Sequence, residues 1–122
     1  LRLQKTINFL WFMDHQKVEK EFLPSTDIYI NASYQEWLPP TVVEALLSEC
    51  ITIATKVGWT PEISRREDLI LIEAWKPKQI ASAIKRAIEW LNKNKGKSKK
   101  TVEKKFDRNH NIKQYFELYK KL

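Results

Sequence analysis

Cysteine is almost missing from this sequence. One cysteine, Cys50, in 122 residues excludes an internal disulfide framework and fits a reducing compartment. With no activating base nearby, Cys50 reads as a small buried residue at a helix–strand junction. No apolar run approaches the roughly 20 residues that span a bilayer, and no secretory pattern is visible from Leu1 onward. That first residue is not methionine, which leaves open a fragment, a processed piece or a partly ordered chain. Histidine is scarce too, with two copies. His15 has no Cys or His at ligand spacing, so it reads as a solvated turn residue rather than a metal ligand. The length suits one domain with a real core.

What is present is organised around Asp27 to Glu62, DIYINASYQEWLPPTVVEALLSECITIATKVGWTPE. Asp27-Ile28-Tyr29-Ile30-Asn31 is a β-prone run that ends in the small-residue loop Ala32-Ser33. Pro39 and Pro40 fix φ just before an amphipathic helix expected over 41–49, with Thr41 as its expected hydroxyl cap. A second apolar run, Ile51 to Val57, follows at once. The unit is a compact β-α-β, and such crossovers place successive strands parallel in one sheet. Glu36 lies in the loop before the helix and Glu44 one turn into it. The helix dipole favours a carboxylate in that turn, and unpaired amides ahead of it form an anion site. Spacing alone carries little information: a solvated loop glutamate and a solvated helix face explain it better than a ligand site does.

The surrounding letters carry more. Residues 27–62 resemble the donor-binding half of the retaining glycosyltransferases of family 4, which have the two-domain GT-B fold. The family pattern runs D, a hydrophobic run, P-S-x-x-E-G-x-P-x-x-x-x-E-A, then a strand that ends A-T-x-V-G-G-x-P-E. Asp27, Ala32-Ser33, Glu36, Pro39, Glu44-Ala45, Ala54-Thr55, Val57-Gly58 and Pro61-Glu62 follow it in register. Ile7-Asn8-Phe9-Leu10 resembles the family's V-x-F-L-G strand. Phe106 and the run Ile112 to Tyr119 resemble its C-terminal helix, which crosses back towards the N-terminal domain. The resemblance implies an α/β fold: a Rossmann-like parallel sheet with flanking helices, forming part of one GT-B donor-binding domain. Residues 1–122 would supply strands three to six of that sheet plus the C-terminal helices.

The resemblance also implies roles. Glu36 would orient the transferred sugar as the catalytic carboxylate, and Glu44 would bind the ribose hydroxyls. The amides of Trp37, Leu38, Pro39, Pro40 and Thr41 would meet the diphosphate, with Ser33 beside them. No metal or cofactor is implied; the nucleotide-sugar donor is a substrate. The missing partner would be an N-terminal acceptor domain or a second chain. Departures from the pattern are equally specific. Trp11, Trp37, Glu49 and Trp59 stand where the family has glycine, which serves positive φ or close backbone approach, and Ile51 replaces a proline. An indole at 37 or 59 would crowd a sugar or phosphate unless it turns away or stacks on the ligand.

Elsewhere, residues 5–13 read as a buried strand, and Asp14 to Phe22 as a short helix anchored by Val18 and Phe22. Pro24-Ser25-Thr26 breaks the chain. Asp68 to Ile72 reads as another strand, approached by Arg65, Arg66 and Glu67 in an exposed loop. Pro77 opens a helix over 78–92 with the stripe Ile80, Ala83, Ile84, Ala87, Ile88, Leu91. Lys93 to Lys105 holds seven lysines against Glu103 and reads as a solvated, mobile loop. It is also a candidate contact for anionic lipid. Nucleic acid is disfavoured as a partner, because no aromatic residue interleaves the lysines. Asn111 to Leu122 reads as a helix with Ile112, Tyr115, Phe116 and Tyr119 on one face. Three functions therefore compete: a donor-binding glycosyltransferase half in the cytoplasm, peripheral to a membrane; a degenerate non-catalytic scaffold that keeps the fold; and a basic nucleic-acid-binding domain.

Overall fold

A computed structural model describes residues 6–64 and 68–121; Arg65, Arg66 and Glu67 lie outside the described residues. The β-prone runs form three strands, β1 (Ile28–Asn31), β2 (Ile51–Thr55) and β3 (Leu69–Ile72). They are parallel, in the order β1-β2-β3. Ile30 of β1 aligns with Ile53 of β2, which aligns with Ile70 of β3. β2 is buried along its whole length, as a central parallel strand covered on both faces must be.

Side chains alternate across that sheet. Ile51, Ile53, Ile70 and Ile72 point to one face and pack on Ala83 and Ala87, with Ile80, Ile84 and Leu91 at the edge. Those five belong to a long helix that Pro77 opens and Asn94 closes. The stripe read from sequence holds there except at Ile88, which is exposed; Trp90 packs on the core instead, with the Arg86 guanidinium 4.9 Å from its ring centre. The opposite face carries Ala54 and Leu69 against Val42, Val43 and Leu46 of the crossover helix Pro40–Leu47. This is an α/β domain with helices on both sides of a parallel sheet, as expected.

In chain order the helices are α1 (His15–Lys17), α2 (Pro40–Leu47), α3 (Thr60–Ile63), α4 (Pro77–Asn94), α5 (Lys99–Phe106) and α6 (Arg108–Tyr119). The segment after α1 departs from a simple helix. It widens to a π-turn at Val18–Phe22 and tightens to a 3-10 turn at Leu23–Ser25. Leu23 and Val18 then cover Ala45 and Cys50, whereas Phe22 is exposed. The Cys50 thiol is buried as expected and donates to the carbonyls of Thr26, at 3.2 Å, and Leu23, at 3.4 Å. Burial pushes its pKa up.

Two expectations fail. Residues 7–13 form no strand, and Phe9, Trp11 and Phe12 are almost fully exposed. A strand exists only where a neighbour satisfies its amides and carbonyls. Strand three of a 3-2-1-4-5-6 sheet pairs with strand two, and among the described residues the sheet runs from β1 to β3 with no further strand. Nor does the segment pair directly with β1, whose ladder is with β2 alone among the described residues.

The lysine block is not a loop. α4 runs into it, a turn follows, and α5 occupies the rest. Asp68, fully buried, accepts from the Ser98 amide at 2.6 Å and from the Ser98 hydroxyl. Val102 is fully buried in the same core as α2, a burial worth about 1.5–3 kcal/mol. The lysines settle around that anchor: Lys95 reaches Asp27 at 2.9 Å and Lys99 reaches Glu49 at 2.7 Å, while Lys105 donates to the Glu62 carbonyl.

Glu49, one of the residues standing at a family glycine, has φ +66. It closes α2 in the left-handed conformation that glycine adopts without strain. Its bond and attraction to Lys99 hold its carboxyl below the usual range and raise Lys99. The sign follows from linkage. A depressed carboxylate contributes stability above its unfolded pKa and loses it as pH falls through the folded value; the raised lysine contributes below its own unfolded pKa. Glu49→Gly should therefore shift the urea midpoint more favourably, relative to the parent, at acid pH than at neutral pH, because acid has already removed the parent's pair. An identical shift at both pH values would show that the pair contributes nothing.

Candidate functional site

In open parallel sheets ligands bind outside the carboxyl ends of the strands. Here that end is built from the loops after β1 (32–39), β2 (56–59) and β3 (73–76). The first begins with a tight turn. Asn31 Oδ1 accepts from the Ser33 amide at 3.1 Å, the Ser33 carbonyl accepts from Thr55 Oγ1 at 2.6 Å, and the Ser33 hydroxyl donates to Glu36 Oε1 at 3.0 Å. The carboxylate of Glu36 is thus tied through Ser33 to the last residue of the central strand. Sequence reasoning named Ser33 and Glu36 for different parts of the ligand, did not pair them, and gave no site role to Asn31 or Thr55. Asparagine after a strand is an Asx-turn signal, so the first was there to be read.

The loop is also held from behind. The Trp59 amide donates to the Trp37 carbonyl at 2.8 Å. Gly58 has φ +50, and a Cβ on it would lie 2.0 Å from the Glu36 carbonyl oxygen and 2.4 Å from that of Trp37. Only glycine fits this backbone-on-backbone contact.

The other expected residues fall as follows. The Trp37 indole is 80% exposed, and Leu38 is partly exposed. Pro39 is buried in the non-helical position before α2, and Pro40 is the first helical residue. Thr41 therefore lies inside the helix and does not cap it; its hydroxyl instead accepts a long 3.5 Å bond from Asn31 Nδ2. Two consecutive prolines displace the helix start by one residue, because proline suits the first turn. They also have no N–H, so amide donors in this stretch come from Trp37, Leu38 and Thr41 only. Glu44 is partly buried on α2, with Oε1 3.8 Å from His15 Nε2. The structure brings Ser33 and Glu36 into contact but joins Glu44 to His15, a neighbour that sequence spacing did not suggest.

Aromatic rings crowd this end of the sheet. Tyr34 stacks on Trp75, with ring centres 3.7 Å apart and planes at 14°, so the loops after β1 and β3 meet. Trp75 has φ +61, a strained conformation for a bulky residue. These positions are 41 apart in sequence (75 minus 34), and no sequence signal links them. Lys56 and Glu73 form an ion pair at 3.1 Å across the same end. No group of His, Cys, Asp or Glu among the described residues is arranged to hold a metal.

A parallel sheet covered on both faces, with a glycine-clamped loop carrying a glutamate at its carboxyl end, defines a Rossmann-like domain. Residues 1–115 match the family Glycosyl transferases group 1, and the chain belongs to that family. It is similar to the phosphatidylinositol N-acetylglucosaminyltransferase GPI3 subunit from three Saccharomyces cerevisiae strains, YJM789, RM11-1a and ATCC 204508/S288c. Each is 32% identical over 87 residues, covering 71% of this chain. The chain spans about a fifth of their length, 19%.

The clamp generates a prediction. Gly58→Ala should cost more than about 2 kcal/mol, since the left-handed conformation alone costs about 1–2 kcal/mol for a non-glycine residue and the Cβ meets backbone rather than a yielding side chain. Urea denaturation measures this. A midpoint equal to the parent's would mean that the Glu36 loop is not held by Gly58.

Proposed function

We propose that this chain is the donor-binding half of a retaining, family 4 GT-B glycosyltransferase, taking a sugar from a nucleotide-sugar. The observation that supports it best is the Asn31–Ser33–Glu36–Thr55 network. It fixes one carboxylate oxygen of Glu36 at the carboxyl end of the sheet, where a sugar would lie, and leaves the other for a ligand. In this reading Glu36 orients the transferred sugar and Glu44 accepts the ribose hydroxyls. The diphosphate lies against the first turn of α2, where the amides of Trp37, Leu38 and Thr41 and the helix dipole offset its charge. Ser33 borders it, and no metal is called for. The relatives' name suggests N-acetylglucosamine as the sugar and phosphatidylinositol as the acceptor.

The same name describes a subunit, which supports a second chain or acceptor domain as partner. A lipid acceptor suits a cytoplasmic chain working at a membrane surface. No helix among the described residues is long and apolar enough to cross one. Contact with anionic lipid through Lys93 to Lys105 is weaker than the charge count suggests, since Lys95, Lys99 and Lys105 are engaged within the fold. The competing reading, a scaffold that has lost the donor site, is favoured by the tryptophans at positions 37 and 59.

Calorimetry with uridine, guanosine and adenosine diphosphates separates the two. Glu44→Gln should weaken the nucleotide that binds about tenfold or more, because charge-assisted bonds contribute about 1.5–3 kcal/mol and 1.4 kcal/mol is a factor of ten. Glu36→Gln should leave nucleotide affinity nearly intact and lower transfer in the assembled enzyme. If no diphosphate binds the folded protein at millimolar concentration, the scaffold reading wins.

A further inference from the structure

The two tryptophans that replace family glycines come together in space. Trp37 and Trp59 line one cavity of about 290 Å³, with Phe106 of α5, Lys105, Glu62 of α3 and Asn111 of α6. The indoles are 80% and 52% exposed, yet their backbones are held: the Trp59 amide bonds the Trp37 carbonyl, and Gly58 allows no slack between the two loops. Polar groups ring the opening. Lys105 is placed by its bond to the Glu62 carbonyl, and Asn111 by Nδ2 donating to the Lys105 carbonyl at 3.2 Å.

We infer that this cavity is a saccharide subsite, separate from the Ser33–Glu36 bond, that takes one neutral pyranose ring. The chemistry selects the ligand. Indole and phenyl rings offer flat apolar faces, and the indole N–H adds a donor at the edge. Binding sites of this kind pair aromatic walls with a few placed polar groups. A sugar ring matches both, with an apolar C–H face for the rings and hydroxyls for the Glu62 carboxylate, the Asn111 amide and the Lys105 ammonium. An acyl chain or an apolar peptide anchor would instead take the Glu62 carboxylate out of water with nothing to bond it, which is costly. An anion would meet Glu62. Of the proposed function the inference uses only the sugar that serves as probe; Glu36 and Glu44 take no part in it.

The test is ligand-observed saturation-transfer NMR on the whole chain, with free N-acetylglucosamine as probe and nucleoside diphosphate measured in parallel by calorimetry. N-acetylglucosamine should bind saturably. Trp59→Ala should weaken it about tenfold, a change of 1.4 kcal/mol, and should leave any diphosphate affinity unchanged; Asn111→Ala should weaken it in the same direction. Trp59→Ala keeps the backbone bond to Trp37, and circular dichroism verifies its fold. Glu44→Gln should show the opposite pattern, with sugar binding intact. Sugar binding without diphosphate binding would uphold this subsite while overturning the donor reading. The subsite is overturned by an absent saturable response. It is equally overturned by a response that survives Trp59→Ala or vanishes with Glu44→Gln. Concentration-dependent sedimentation that Trp59→Ala abolishes and the sugar leaves unchanged would instead assign the indoles to contact between copies of the chain.

Discussion

The contact between the Gly58 backbone and the carbonyls of Glu36 and Trp37 is the constraint on which the carboxyl end of the sheet depends. Two loops that follow different strands touch there without an intervening side chain. That contact sets the height of the Glu36 loop above the sheet, and the Thr55–Ser33 bond sets its direction. Neither holds the loop alone. The hydrogen bond fixes one carbonyl, while the glycine contact excludes the positions to which the rest of the loop would otherwise swing. Precision at a ligand site comes from such over-determination by rigid elements rather than from the ligand-facing residue itself.

Backbone strain is distributed in the same region and at the opposite end of the sheet, and in both places a side-chain contact accompanies it. Trp75, at φ +61, stacks on Tyr34; Glu49, at φ +66, pairs with Lys99 and packs on Gly96, whose added Cβ would meet the Glu49 side chain at 3.3 Å. Non-glycine residues persist in such conformations only where their surroundings hold them. The carbonyls at the end of α2 are capped locally, by the amides of Ser48, Glu49 and Cys50, while Lys99 of α5 holds the side chain of the left-handed residue that follows the helix.

The centre of the fold was legible in the sequence because its signals are local. The isoleucines of β1, β2 and β3 alternate or run continuously, Pro39-Pro40 and Pro77 mark helix starts, and Gly58 stands where two loops meet backbone to backbone. What escaped is non-local. Residues 7–13 have strand composition, but a strand is a property of a pair, and composition says nothing of the neighbour. Lys93 to Lys105 has the composition of a solvated loop. Val102 and Phe106, four apart, were the signal of a helix with an apolar edge, and the charge count masked it. Within the site, Ser33 and Glu36 are three apart and their contact follows from one turn. The Glu44–His15 and Tyr34–Trp75 contacts join separate elements, and no local pattern announces them.

The apolar surface left over has a direction. On α6, Ile112, Tyr115, Phe116 and Tyr119 are exposed, as are Ile7, Phe9, Leu10, Trp11 and Phe12 near the other end of the described chain. Isolated exposed apolar residues are ordinary, but two runs of them are an arrangement that proteins cover. α6 is attached to the rest through α5 and the Asn111–Lys105 bond, and α5 through Val102 and the buried Asp68–Ser98 pair. The order of attachment is therefore core, α5, α6, each resting on fewer apolar contacts than the last. Stability should fall along that series, with α6 the first element to separate.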